Sequence, residues 1–125
     1  MTRIAIVEDN PDNRLLALAI LEGSFECVEY ETGAEALAGI RRDRPALVLL
    51  DISLPGMDGV ETLQHIRADE ALRHLPVIAL TAHAMTGDRE RYLRAGFDDY
   101  VTKPILDEAI LLDAITRGLN GAGAR

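Results

Sequence analysis

Ala46-Leu47-Val48-Leu49-Leu50 is an unbroken apolar run that stops at Asp51. A half-buried strand would alternate apolar and polar residues; a run apolar throughout suits a central parallel strand covered on both faces. A carboxylate at the end of such a strand is costly to bury unless something pairs with it. These six residues therefore predict both a fold class and the place of the chemistry.

Segments of the same kind recur on either side. Arg3–Val7 is short and apolar and ends at Glu8-Asp9-Asn10. Phe25–Tyr30 alternates, Val77–Leu80 is a further buried run ending at Thr81, and Asp99–Thr102 leads into Lys103-Pro104. Helical stretches separate them. Asp12–Gly23 follows Pro11, with Leu15, Leu18, Ala19 and Glu22 on one side. Pro at the first turn and Gly past the last mark its limits. Thr32 and Glu35 have capping-box spacing at the start of a helix reaching about Arg42. Val60–Ala68, Asp88–Ala95 and Leu106–Leu119 read as the remaining helices, and Leu54–Gly59 as a Pro/Gly loop. Five strands alternating with five helices predict an α/β fold: a flavodoxin-like (βα)5 three-layer sandwich with a parallel five-stranded sheet of order 2-1-3-4-5. Residues 1–119 form one domain, and the small residues of 120–125 are expected to fray.

Composition agrees with a single globular domain. The 125 residues are 48% hydrophobic and 27% charged, which excludes a wholly disordered chain. The net charge of −8 offers no basic face for nucleic acid and is repelled by anionic membranes. Cys27 is the only cysteine, so no internal disulfide can form and a thiolate zinc site lacks ligands. No apolar run approaches the roughly 18 residues that span a bilayer, and Met1-Thr2-Arg3 does not open a signal peptide. The expected address is cytoplasmic, without membrane insertion or direct nucleic-acid contact.

In open α/β sheets the ligand site lies beyond the carboxyl ends of the strands. Those ends here carry Glu8-Asp9, Asp51, Thr81 and Lys103. The topology thus collects three carboxylates, a hydroxyl and an ammonium at one edge. Two like charges about 5 Å apart cost roughly 3 kcal/mol at an effective dielectric near 20, so the cluster needs a cation. All-oxygen ligands with open positions suit Mg²⁺. A carboxylate beside a metal, a lysine and a hydroxyl is a candidate nucleophile for phosphoryl transfer, Lys103 holding a phosphoryl oxygen and Thr81 donating to another.

This combination resembles the receiver domain of bacterial two-component response regulators, the CheY-like family, over the whole chain up to its tail. Glu8-Asp9 matches the acidic pair, Asp51 the phosphoacceptor, Thr81 the switch hydroxyl, and Lys103-Pro104 the lysine with its cis-proline. The stretch Asp-Ile-Ser-Leu-Pro-Gly-Met-Asp-Gly at 51–59 resembles the loop after the acceptor, and Tyr100 the aromatic rotamer switch. Residues 7–13 and 81–88 lean towards stand-alone DivK-type regulators and the receivers of hybrid histidine kinases. The resemblance implies Mg²⁺ held by Asp9, Asp51 and the Ser53 backbone carbonyl, with Glu8 acting through water. It implies a phosphohistidine donor on a sensor or hybrid histidine kinase, or on a histidine phosphotransfer protein, docking near the first helix. Phosphorylation would draw Thr81 to the phosphoryl group, turn Tyr100 inward and reshape the face made by the fourth helix, fifth strand and fifth helix, which a downstream protein reads. Ser53 and His83, two residues past Asp51 and Thr81, occupy positions that modulate phosphoryl lifetime in the family.

Other readings fit less of the chain. Taken singly, Glu8-Asp9 are turn residues before a helix, Thr81 a strand-end cap and Tyr100 half-buried packing. A haloacid-dehalogenase-type phosphatase also uses an aspartate after a parallel strand, but needs a second aspartate where Ser53 stands. A flavin protein of this fold needs a phosphate-cradling loop where Glu8-Asp9-Asn10 would repel phosphate. A pseudo-receiver adaptor would have lost part of the acidic set. Asp98-Asp99 read as a solvated turn, and His65 and His74 as surface residues.

Overall fold

The computed structural model describes residues 2–82, 87–105 and 107–122. The elements run β1 (Arg3–Val7), α1 (Pro11–Leu21), β2 (Glu26–Tyr30), α2 (Gly33–Asp43), β3 (Leu47–Asp51), α3 (Gly59–Ala68), β4 (Val77–Thr81), α4 (Asp88–Ala95), β5 (Asp99–Thr102) and α5 (Glu108–Ala122). The strands form one sheet in the order β2-β1-β3-β4-β5, every pairing parallel. This is the flavodoxin-like arrangement predicted above.

Alternation along the strands divides the core in two. Ala5, Val7, Val48, Leu50, Val77 and Ala79 face α2, α3 and α4, packing with Ile40, Leu63, Ile66 and Tyr92. Ile4, Ile6, Leu47, Leu49, Ile78 and Leu80 face α1 and α5, packing with Leu21, Leu111 and Ile115. A strand buried on both faces has no position left for a polar residue until its end, which is why β3 and β4 are apolar up to Asp51 and Thr81.

The helices start where their caps are. Asn10 accepts hydrogen bonds from the backbone N–H groups of Asp12 and Asn13 at 2.9 and 3.2 Å, with Pro11 at the first helical position. Thr32 caps α2 through Glu35 N at 3.0 Å, and Asp58 caps α3 through Glu61 N at 2.9 Å. Every helix carries a carboxylate in its first turn: Asp12, Glu35, Glu61, Asp88 with Glu90, and Glu108. Basic residues fill the last turns of α2, α3 and α4 (Arg41, Arg42, His65, Arg67 and Arg94). Both placements complement the helix dipole. Among the described residues, no helix is long and apolar enough to cross a membrane.

Three details correct the sequence reading. The helix α5 continues to Ala122, three residues into the expected tail. Asn120 and Gly121 are poor helix formers, but propagation adds one hydrogen bond per residue and no proline stops it. The turn at Asp98-Asp99 is half-buried and paired rather than solvated: Asp98 Oδ2 accepts from Arg67 Nη2 at 3.0 Å and from Val77 N at 2.8 Å, and Asp99 pairs with Arg117 at 2.8 Å. Arg67 also donates to the carbonyls of Gly96, Arg73 and Leu75, so one guanidinium ties α3 to the loops before β4 and β5. The third detail is that α3 begins at Gly59 rather than Val60. A Cβ on Gly59 would lie 2.3 Å from the carbonyl oxygen of Asp51 and 2.7 Å from Ile52 Cα. Only glycine lets the start of α3 rest on the backbone that carries Asp51.

Candidate functional site

Four strand ends meet at the carboxyl edge of the sheet, held in step by backbone bonds. Glu8 N donates to Tyr30 O at 3.0 Å, Ile52 N to Leu80 O at 3.0 Å, and Lys103 N to Thr81 O at 2.7 Å. The side chains they present come together. Lys103 Nζ donates to Asp51 Oδ1 at 2.9 Å and to Glu8 Oε1 at 3.1 Å. Asp51 and Glu8 are both buried, at 1% and 0% exposure, while Asp9 lies open to solvent. Glu8, Asp9 and Asp51 each offer a carboxylate oxygen within 4.8 Å of the others. Ser53 N donates to Asp51 Oδ1 at 3.0 Å and Asn10 N to Glu8 Oε2 at 3.3 Å, fixing both carboxylates from the backbone.

The electrostatics follow from one ammonium serving several acids. Burial, with Asp51 alongside, pushes the Glu8 carboxyl up to about 7. Burial would also raise Asp51, but hydrogen bonds with Glu8, the Ser53 N–H and Lys103 outweigh it and leave Asp51 below its ordinary value. Burial would lower Lys103, and the two carboxylates overcome this and raise it. Asp51 is thus the acid that stays ionised, and Glu8 the one that holds a proton near neutrality.

Thr81 ends β4 at 2% exposure, and its Oγ1 lies 2.9 Å from the hydroxyl of Tyr92. Tyr100 is half-buried on β5, its ring centroid 5.7 Å from that of Tyr92. Ser53 is exposed beside Asp51. The Lys103–Pro104 peptide bond is cis. His83 lies outside the described residues. Of the remaining histidines, His65 and His74 are exposed and stand apart from the carboxylates.

Two residues near the site escaped the sequence reading. Arg14, on α1, donates to the Glu8 carbonyl at 2.8 Å and pairs with Glu29 at 3.1 Å and Glu31 at 3.4 Å, bracing the loop that carries the acidic pair. Tyr92 was hidden in α4, where it is the one aromatic among mostly charged residues. That contrast signals the side packed on the sheet, but not which polar atom its hydroxyl meets. A cavity of about 700 Å³ opens at the opposite edge of the sheet, lined by Ile40, Arg41, Arg44, Leu72, His74 and Leu75 among others, and shares no residue with the acidic cluster.

Comparison with known proteins agrees with this geometry. A family model of the response regulator receiver domain matches residues 4–116. The polar-differentiation response regulator DivK of Brucella anthropi is 45% identical over 103 residues, covering 82% of this chain and 84% of DivK. The sensor protein GacS of Pseudomonas syringae is 43% identical over 112 residues, covering 86% of this chain and 12% of that much longer protein. The receiver domain of a Pseudomonas aeruginosa sensor histidine kinase, crystallised with magnesium in its active-site cleft, superposes with a TM-score of 0.85 at 38% identity, covering 95% of this chain and 98% of that one.

Proposed function

Because this chain belongs to the response regulator receiver domain family, the switch module of two-component signalling, we propose that Asp51 accepts a phosphoryl group from a phosphohistidine. The observation that carries this reading is the Lys103 ammonium, 2.9 Å from Asp51 and 3.1 Å from Glu8 at a buried strand end. A buried, ionised carboxylate beside a fixed cation is a nucleophile held ready. An Asp51 oxygen forms the new P–O bond as the N–P bond to the donor imidazole breaks, and the imidazole leaves with its electron pair and takes a proton from solvent. Lys103 then turns its charge from the carboxylate to a phosphoryl oxygen, and Thr81 donates to another.

The acidic cluster fits a divalent cation. Its donors are all oxygen, they lie within 4.8 Å of one another, and one ammonium does not neutralise three carboxylates. Asp9, Asp51 and the Ser53 carbonyl would hold Mg²⁺ directly and Glu8 through water. When bound, the ion supplies positive charge against the phosphoryl oxygens. The donor on this reading is a sensor or hybrid histidine kinase or a histidine phosphotransfer protein. The output is a shift in the face formed by α4, β5 and α5, read by a downstream protein, with Ser53 and His83 setting how long the phosphoryl group persists. Similarity to both DivK and part of GacS supports a role as either a single-domain switch or a relay module of a kinase.

The test is intact-mass spectrometry after incubation with acetyl phosphate, with and without Mg²⁺, beside an Asp51→Asn variant. The expected result is a Mg²⁺-dependent gain of one phosphoryl group that the variant lacks. A gain that persists in Asp51→Asn, or no gain in the wild-type protein from either acetyl phosphate or a phosphorylated histidine kinase, would refute the assignment.

A further inference from the structure

The hydroxyl that ends β4 is tied to a helix as well as to the site. Thr81 Oγ1 and Tyr92 Oη lie 2.9 Å apart, both side chains buried. The Tyr92 ring meets Phe97 edge-on at 6.1 Å and Tyr100 at a 49° tilt. From the solvent side, Arg91 Nη2 reaches the same hydroxyl at 3.3 Å, its guanidinium sits 5.1 Å from the ring centroid, and it pairs with Asp88 at 3.1 Å. Tyr92 therefore stands where β4, α4 and β5 meet, touching a residue of each.

We propose that Tyr92 is a positioning residue for Thr81: its hydroxyl holds the Thr81 hydroxyl in the resting arrangement, and releasing that bond frees α4. The proposal rests on the reading of Asp51 as phosphoacceptor. Turning Thr81 Oγ1 to a phosphoryl oxygen on Asp51 carries it away from the Tyr92 hydroxyl that it now meets at 2.9 Å. Two buried hydroxyls that share a bond resist separation, because each is costly to leave unpaired away from water. Once Thr81 turns, the Tyr92 hydroxyl retains, among the described residues, Arg91 on its outer side. The ring and the helix that carries it then settle elsewhere, and Tyr100, packed on that ring, moves with them. Movement at Thr81 is in this way converted into movement of α4 and β5 through a single side chain. The bond belongs to the resting state alone, so removing it favours the switched state.

Tyr92→Phe deletes the hydroxyl and keeps the ring against Phe97 and Tyr100. The expected effect is a rise of about fivefold in the rate of phosphoryl uptake from acetyl phosphate, the ratio corresponding to one neutral buried hydrogen bond. The same substitution made on a Thr81→Val background should produce no further rise, since the partner hydroxyl is already gone. Amide hydrogen exchange over residues 88–95 of the unphosphorylated protein should be faster in Tyr92→Phe than in wild type. Equal uptake in Tyr92→Phe and wild type, or an equal rise with and without the Thr81 hydroxyl, would overturn the proposal. If wild type takes up no phosphoryl group from either acetyl phosphate or a phosphorylated histidine kinase, the Asp51 reading falls, and exchange alone decides on Tyr92. Unchanged exchange over 88–95 then overturns its role, and faster exchange that depends on the Thr81 hydroxyl upholds it.

Discussion

Glu8 illustrates how much a site depends on one side chain's surroundings. Its carboxyl is pushed up to about 7 from 4.5, first by burial and then by Asp51. A raised carboxyl in the folded state binds more protons than the unfolded chain, so its contribution to stability is complete below 4.5 and is lost as pH rises through about 7. Asp51 works in the opposite sense, but its lowered value confines that effect to more acidic solutions. In chelator, the urea midpoint should therefore fall between pH 5 and pH 8, and millimolar Mg²⁺ should restore it increasingly towards pH 8, where Glu8 has given up its proton. A midpoint independent of pH in chelator would contradict this account. Glu8, Asp9, Asp51, Thr81 and Lys103 could be placed from sequence because each sits just at or after a strand end, and parallel topology sends all such ends to one edge. Tyr92 and Arg14 could not, because their partners depend on how α4 and α1 lie against the sheet.

Elements were legible to the extent that caps and glycines mark them. Thr32 caps α2 as its spacing predicts, whereas the Asp58 cap falls inside the stretch read as loop and α3 starts one residue early, because Gly59 serves close packing rather than the loop. A methyl group there would meet the Asp51 carbonyl at 2.3 Å. Gly59→Ala should cost about 1–3 kcal/mol by overpacking, and it should slow phosphoryl uptake because the displaced backbone is that of Asp51. Urea unfolding and the acetyl phosphate assay together check both parts. Arg67 makes a useful contrast at the other edge of the sheet. Arg67→Ala removes its bonds to Gly96, Arg73, Leu75 and Asp98 and should cost about 2–3 kcal/mol. Phosphoryl uptake by the folded fraction should stay within about twofold of wild type, since none of these four partners belongs to the acidic cluster. The pairing of Asp98 was invisible in sequence because Arg67 is 31 residues away and only the α3 and β4 packing brings them together.

At the scale of the whole molecule, the fold was the most readable feature. Strands apolar on both faces require helices on both faces, and right-handed crossovers leave few ways to arrange five βα units. The two cores follow directly, one over α2, α3 and α4 and the other over α1 and α5. The same parallel build also has an electrical consequence. All five helices point their acidic first turns towards the Asp51 edge, and the basic last turns of α2, α3 and α4 gather at the other, where Arg41, Arg44 and His74 line the cavity. The side chains thereby set up a dipole moment opposed to that of the backbone. Near a charged partner this moment exerts a torque, turning the acidic pole towards positive charge before the surfaces touch. Its reach is about 8 Å at physiological ionic strength and shortens as salt rises. An ion pairing with the acidic pole would weaken the moment itself, so that occupancy of the site alters which way the molecule faces on approach.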